Sequence, residues 1–166
     1  MDRERKYDMK PEMIETLRNS FARIAARNVD VATVFYARLF ELAPSVRPMF
    51  KEDLNDQKQK LMTALVQIVQ MVDKPEQFTS YLTRMGERHA AYGAKPEHYD
   101  TVGAALLWTF EQVLADEFSP EVREAWSTAY GAIAKIMCSA TPPTETAVYP
   151  RVAAPDAPNP ARSAVR

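Results

Sequence analysis

Cysteine is nearly absent: Cys138 stands alone among 166 residues. No disulfide can form within the chain, and a reducing cytoplasm is the expected compartment. Glycine is scarce, at four residues, and none sits in the G-x-G-x-x-G or G-x-x-x-x-G-K context that cradles phosphate. His89 and His98 are the whole supply of imidazole. Neither belongs to an H-E-x-x-H pair, and zinc-spaced cysteines are missing. No serine occupies a nucleophile elbow. Neither sign of charge dominates, since 21 Lys+Arg against 22 Asp+Glu leave a formal net charge of −1. That balance argues against a nucleic-acid binder, which carries a basic surface. The longest uncharged run, residues 61–72, is well short of the roughly 20 residues that span a bilayer, so no membrane insertion is expected. Residues 1–10 carry seven charged side chains and no apolar stretch, which speaks against a secretory signal. Side chains alone offer little reactive machinery, so any chemistry here is expected to come from a cofactor.

What the chain does have is helical periodicity over an apolar fraction of 46%, enough for one domain with a real core. Residues 1–10 read as a charged, flexible lead-in. Residues 139–166 hold six of the twelve prolines and seven alanines with few bulky apolar side chains. Such a segment buries too little surface to offset its ordering entropy and is expected to be a disordered tail. The folded domain is then 11–138. Within it the first helix opens at Pro11 and runs to about Ala26, with Ile14, Leu17, Phe21 and Ile24 on one face. A second covers 29–42, and Pro44 starts a short turn of helix ending near Met49. Asn55 or Asp56 caps the next, whose apolar face holds Leu61, Leu65, Ile68 and Val72. Pro75 opens a helix that Gly93 stops in the left-handed region, and Pro96 opens another through Leu106, Phe110 and Leu114. Ser119 and Pro120 start the last, which runs to about Cys138. Six substantial helices and a short one, with no convincing strand, define an all-α fold.

His89 lies near the end of the segment 76–92, following Phe78, Leu82 and Met85 at steps of four and three, then four again. The imidazole therefore falls on the apolar stripe. A histidine facing a core needs a partner. The residues themselves allow two: a backbone carbonyl or a metal.

Several segments, in order, carry a resemblance. They are Val34-Phe-Tyr-Ala-Arg-Leu-Phe40, Phe50 in a corner, Gln57-Lys-Gln-Lys-Leu61 and Gly86-Glu-Arg-His-Ala-Ala-Tyr-Gly93. After them come Lys95-Pro-Glu-His-Tyr-Asp-Thr-Val-Gly103 and Ala125-Trp-Ser-Thr-Ala-Tyr-Gly131. Together they resemble the globin family, specifically single-domain bacterial globins related to the globin domain of flavohaemoglobins, over about residues 11–138. The resemblance implies a globin fold holding a haem b between the helix starting at Asn55 and the helix of His89. It makes His89 the axial iron ligand, with the sixth position open to O2, NO or CO.

By the same resemblance, Tyr36 and Gln57 are the polar groups above the iron. A dioxygen ligand on ferrous haem carries partial negative charge, to which a phenolic O–H and a carboxamide N–H can both donate. Phe50 matches the aromatic that wedges against the haem, and Leu61 presses on the same side. Lys60 is placed to reach a propionate, and Tyr99 and Val102 line the proximal side. His98, in the first turn after Pro96, reads as a polar surface histidine rather than an iron ligand. Trp108 and Trp126 are expected at helix interfaces.

The chain also departs from the pattern. Flavohaemoglobins continue into flavin- and nicotinamide-binding domains, where this chain has its Pro/Ala-rich segment, so turnover is expected to need a separate reductase. The glutamate those proteins bond to the proximal histidine falls here on Thr141. The ring N–H of His89 is then expected to find a backbone carbonyl one turn earlier, near Met85. Neutral imidazole pushes less electron density to iron, which suits reversible oxygen binding better than peroxide cleavage. Oxygen storage or transport, nitric oxide dioxygenation, and a haem-free or haem-sensing module acting through a protein partner are the functions left open.

Overall fold

The computed structural model describes residues 9–140, so the charged lead-in and the Pro/Ala-rich segment beyond Ala140 lie outside the described residues, with only Met9, Lys10, Ser139 and Ala140 inside. The described chain is helical: α1 (Pro11–Ala26), α2 (Val31–Leu42), a 3-10 turn (Pro44–Met49), α3 (Asn55–Met71), α4 (Pro75–Ala91), α5 (Pro96–Leu114), a short 3-10 turn (Ala115–Glu117) and α6 (Pro120–Ser139). Proline begins α1, α4, α5 and α6, where its missing N–H would have no partner in any case. At α6 Ser119 completes the signal, its Oγ accepting the Val122 N–H at 3.2 Å. Gly93 ends α4 with φ +92°, a conformation that glycine adopts without strain.

Two starts differ from the sequence reading. The second helix begins at Val31 rather than residue 29, because the Asp30 side chain accepts the Thr33 N–H and so caps it. Val29 is left exposed outside. For α3, neither Asn55 nor Asp56 caps. Leu54 holds that position without a side-chain bond, and the Asp53 carboxylate accepts the Asn55 N–H at 2.9 Å from just upstream.

Packing pairs α2 with α5, α4 with α6, and α1 with α6. The α4–α6 contact is close because Gly86 lacks a Cβ; one placed there would come within 2.5 Å of the Met137 carbonyl oxygen. Trp126 is 1% exposed and lies 4.5 Å from the Phe110 ring and 6.2 Å from that of Phe21. Its indole N–H donates to Ser20 Oγ at 2.9 Å, and that hydroxyl donates to the Leu17 carbonyl. Trp108 is only half-buried and stacks under the Arg38 guanidinium at 4.8 Å. Among the described residues no helix is long and apolar enough to cross a membrane.

Candidate functional site

One side of the bundle is not filled. A cavity of about 550 Å³ lies among α2, the 3-10 turn, α3, α4 and α5. Each helix contributes one face to it. From α3 come Gln57, Lys60, Leu61 and Ala64; from α4, Tyr81, Met85 and His89, with Tyr92 just past its end; from α5, His98, Thr101 and Val102. Steps of three and four residues keep side chains on the same helical face, so the wall follows from the periodicity of the sequence.

His89 is half-buried in the last turn of α4 and lines this cavity. Its Nδ1 sits 2.8 Å from the carbonyl oxygen of Met85, the partner expected one turn earlier. A carbonyl can only accept, so Nδ1 carries a proton, and in a neutral ring the lone pair is then on Nε2. The bond also fixes the ring plane against rotation about its side-chain torsions. The Tyr92 ring, one turn on, lies 6.3 Å from the imidazole.

Tyr36 enters from α2. It is 4% exposed and stands in a group of rings, with Phe35 at 5.0 Å, Phe50 at 5.6 Å and Phe40 at 6.0 Å between centroids. Burial pushes its phenol up to about 12, an effect that a hydrogen bond with the Gln57 side chain partly opposes. A bond that favours the ionised phenol is one in which the carboxamide N–H donates to the phenolic oxygen. With the phenol raised by burial, Tyr36 keeps its proton at neutral pH.

Phe50, Lys60, Leu61 and Val102 all line the same cavity as His89, Tyr36 and Gln57, so seven of the eight side chains singled out from the sequence share one space. Tyr99 does not join them. It lies next to His98 in sequence and so points about 100° away around α5. It is half-buried and its carbonyl accepts the Tyr130 O–H at 2.6 Å. Desolvation by burial, with Cys138 nearby, raises its phenol to about 12.

His98, expected as a polar surface histidine, lies where the cavity wall meets the surface. It is half-buried at the cavity wall, with Nδ1 accepting the Lys95 N–H at 3.0 Å. Tyr92 and Thr101 were not singled out, although steps of three place each on a face already marked by His89 or His98. Thr141, where the family's glutamate would stand, lies outside the described residues.

Comparison with known proteins agrees with this architecture. A family model described as Globin matches residues 33–137, more than half of the chain. The chain belongs to the globin family. A flavohemoprotein of Xylella fastidiosa (strain Temecula1) is 31% identical over 130 residues, covering 76% of this chain and 32% of its own. One of Rhizobium meliloti is 32% identical over 106 residues, covering 62% of this chain and 26% of its own. The chain thus spans about a third or less of the length of these relatives.

Among solved structures, a bacterial globin of Campylobacter jejuni superposes with a TM-score of 0.69 at 26% identity, over 80% of this chain and 96% of that one. A Pseudomonas aeruginosa protein described as structurally highly homologous to a human hemoglobin gives 0.71 at 25% identity, over 79% and 99%. An engineered carbene transferase from Rhodothermus marinus, itself a candidate nitric oxide dioxygenase, gives 0.71 at 25% identity, over 81% and 94%.

Proposed function

We propose that this globin binds haem b through His89 and takes up small diatomic gases beside Tyr36 and Gln57. The observation that carries the reading is the placement of His89: an imidazole whose Nδ1 is held by the Met85 carbonyl lines one cavity with Tyr36, Gln57 and Phe50. The donor set supports a chelated iron over a bare ion. Among the described residues no three His, Cys, Asp or Glu side chains gather to hold a metal, and one imidazole suffices only when a macrocycle supplies the other ligands. The walls suit such a group, since Phe50, Leu61 and Val102 offer apolar surface to a flat ring. Lys60 at the same cavity would meet an acidic edge group.

A bound haem would supply an iron with one open position for O2, NO or CO. The chain's own contribution is polar. The Tyr36 O–H can donate to a ligand in the cavity, and the hydrogen bond with Gln57 orients it. Each such bond is worth roughly 1 kcal/mol or more, enough to slow release of a partially charged ligand several-fold. His89 is bonded to a neutral carbonyl rather than a carboxylate and so gains no anionic character from its partner, which favours reversible gas binding. Nitric oxide dioxygenation is the enzymatic extension of this reading, with electrons delivered by a separate reductase.

Absorption spectra of the ferric, ferrous, oxygen- and carbon monoxide-treated protein test it. The expected result is a Soret band with shifts on each gas, and a His89→Ala variant that loses the pigment or holds it weakly. An unaltered spectrum and unaltered gas uptake in that variant would overturn the reading. No Soret band after haem addition to the unmodified protein would leave a haem-free module that works through a protein partner.

A further inference from the structure

We propose that Arg47, which is not among the residues lining the cavity, is the positioning residue that holds Tyr36 and Gln57 in register. Its guanidinium donates to three consecutive carbonyls: Nη1 to Phe50 at 3.3 Å and Lys51 at 3.0 Å, and Nη2 to Glu52 at 3.3 Å. The same group lies over the Phe40 ring at 5.0 Å. Phe40 in turn stands 5.4 Å from Phe50 and 6.0 Å from Tyr36. One cation therefore joins two things that must agree.

The first is the aromatic group that walls in Tyr36. The second is the segment 50–54, which has no helical structure of its own and delivers the first turn of α3, where Gln57 sits. The start of that helix lacks a side-chain cap at Leu54 and is tied from upstream, by Asp53 to the Asn55 N–H. Arg47 ties the residues just before it. Only a planar fork with several N–H donors spans three carbonyls while its central carbon stays over a ring; a lysine ammonium keeps the charge but not that geometry. The position of Gln57 relative to the Tyr36 hydroxyl is thus set from outside the cavity.

This rests on the gas-binding reading above, so the test has one arm that does not. In the colourless protein, hydrogen exchange is followed at the amides of Asn55 and Lys58 in the unmodified chain and in Arg47→Lys. Loss of the fork is expected to speed exchange there by about tenfold or more, with the amides of α6 unchanged. Equal exchange at α3 in both proteins would overturn the proposal whether or not haem binds.

The second arm uses the haem-loaded protein. Arg47→Lys is expected to raise the oxygen dissociation rate several-fold while haem content stays the same, and to add nothing in a Gln57→Ala background. A purely structural arginine would give additive effects in that cycle, and additivity would likewise overturn the proposal. Failure of haem binding itself would instead count against the gas-binding reading, with the exchange arm still deciding on Arg47.

Discussion

Between α1, α5 and α6 the helices are joined by side chains packed ring on ring, with Trp126, Phe110 and Leu17 all within 1% of full burial. Across α2, α3 and α4 they instead keep a space of about 550 Å³ open. Polar atoms are treated differently on the two sides. In the packed part, the Trp126 N–H ends on Ser20, Ser20 on the Leu17 carbonyl, and the buried Thr109 hydroxyl on the Ala105 carbonyl at 2.7 Å. Each pairing offsets the desolvation of its members and leads nowhere else. On the open side, one nitrogen of His89 and the oxygen of Tyr36 are bonded to fix their orientation. Both side chains also border the open space rather than being enclosed by packing on every side. A core histidine and a site histidine make the same backbone bond. What separates them is whether the ring lines a cavity.

The sharpest way to break that contrast is to open the packed side. Trp126→Ala removes a large side chain from surroundings that cannot collapse, and should destabilise the protein by about 3–5 kcal/mol, measured by urea unfolding without haem. Phe50→Ala widens a cavity that already exists, so its loss should be about half as large or less. Equal effects would mean that the open side is as well packed as the closed one.

The helical skeleton was legible because prolines and apolar periodicity are local signals, and four helices do begin at the prolines that announced them. The cavity wall was legible for the same reason: Gln57 and Leu61, or Met85 and His89, share a face by spacing alone. What escaped depends on longer geometry. Residues 98 and 99 are adjacent, and periodicity in α5 does not say which of them turns to α4 and which to α6. The resemblance favoured Tyr99, while His98 lines the cavity and Tyr99 is tied to Tyr130 through its backbone carbonyl. The start of α3 escaped because Asp53, not the first helical residue, receives the orphan N–H. Arg47 was invisible since its partners are carbonyls, which every residue has.

A smaller deletion compares polar atoms directly. Ser20→Ala leaves the Trp126 N–H buried with no acceptor, a loss of about 1–3 kcal/mol. Tyr36→Phe also deprives a donor, the Gln57 amide, of its acceptor. That amide borders a cavity which water can enter when no cofactor is present, so the loss there should stay below about 1 kcal/mol. Unfolding curves of both variants in the colourless protein check the pair. A Tyr36→Phe loss equal to that of Ser20→Ala would show that the open side is dry and closed even without a cofactor.

Alkaline titration probes the same question with the smallest step. Burial raises the Tyr36 phenol to about 12 in the folded protein, against about 10 in an unfolded chain. Between those values the unfolded state has released its proton and the folded state has not. The folded state then binds more protons, so stability is intact below pH 10 and falls as pH rises toward 12. The slope is roughly 1.4 kcal/mol per pH unit for one such group. Lysines titrate in the same window, so the difference between the unmodified protein and Tyr36→Phe isolates the phenol. Unfolding midpoints from about pH 9 to about pH 11.5 should fall less steeply in Tyr36→Phe. Tyr130, raised further by burial and set where α5 meets α6, serves as the packed-side control. Should Tyr130→Phe flatten the profile while Tyr36→Phe leaves it unchanged, water already surrounds the Tyr36 hydroxyl, and its value as a donor in a dry pocket would disappear with it.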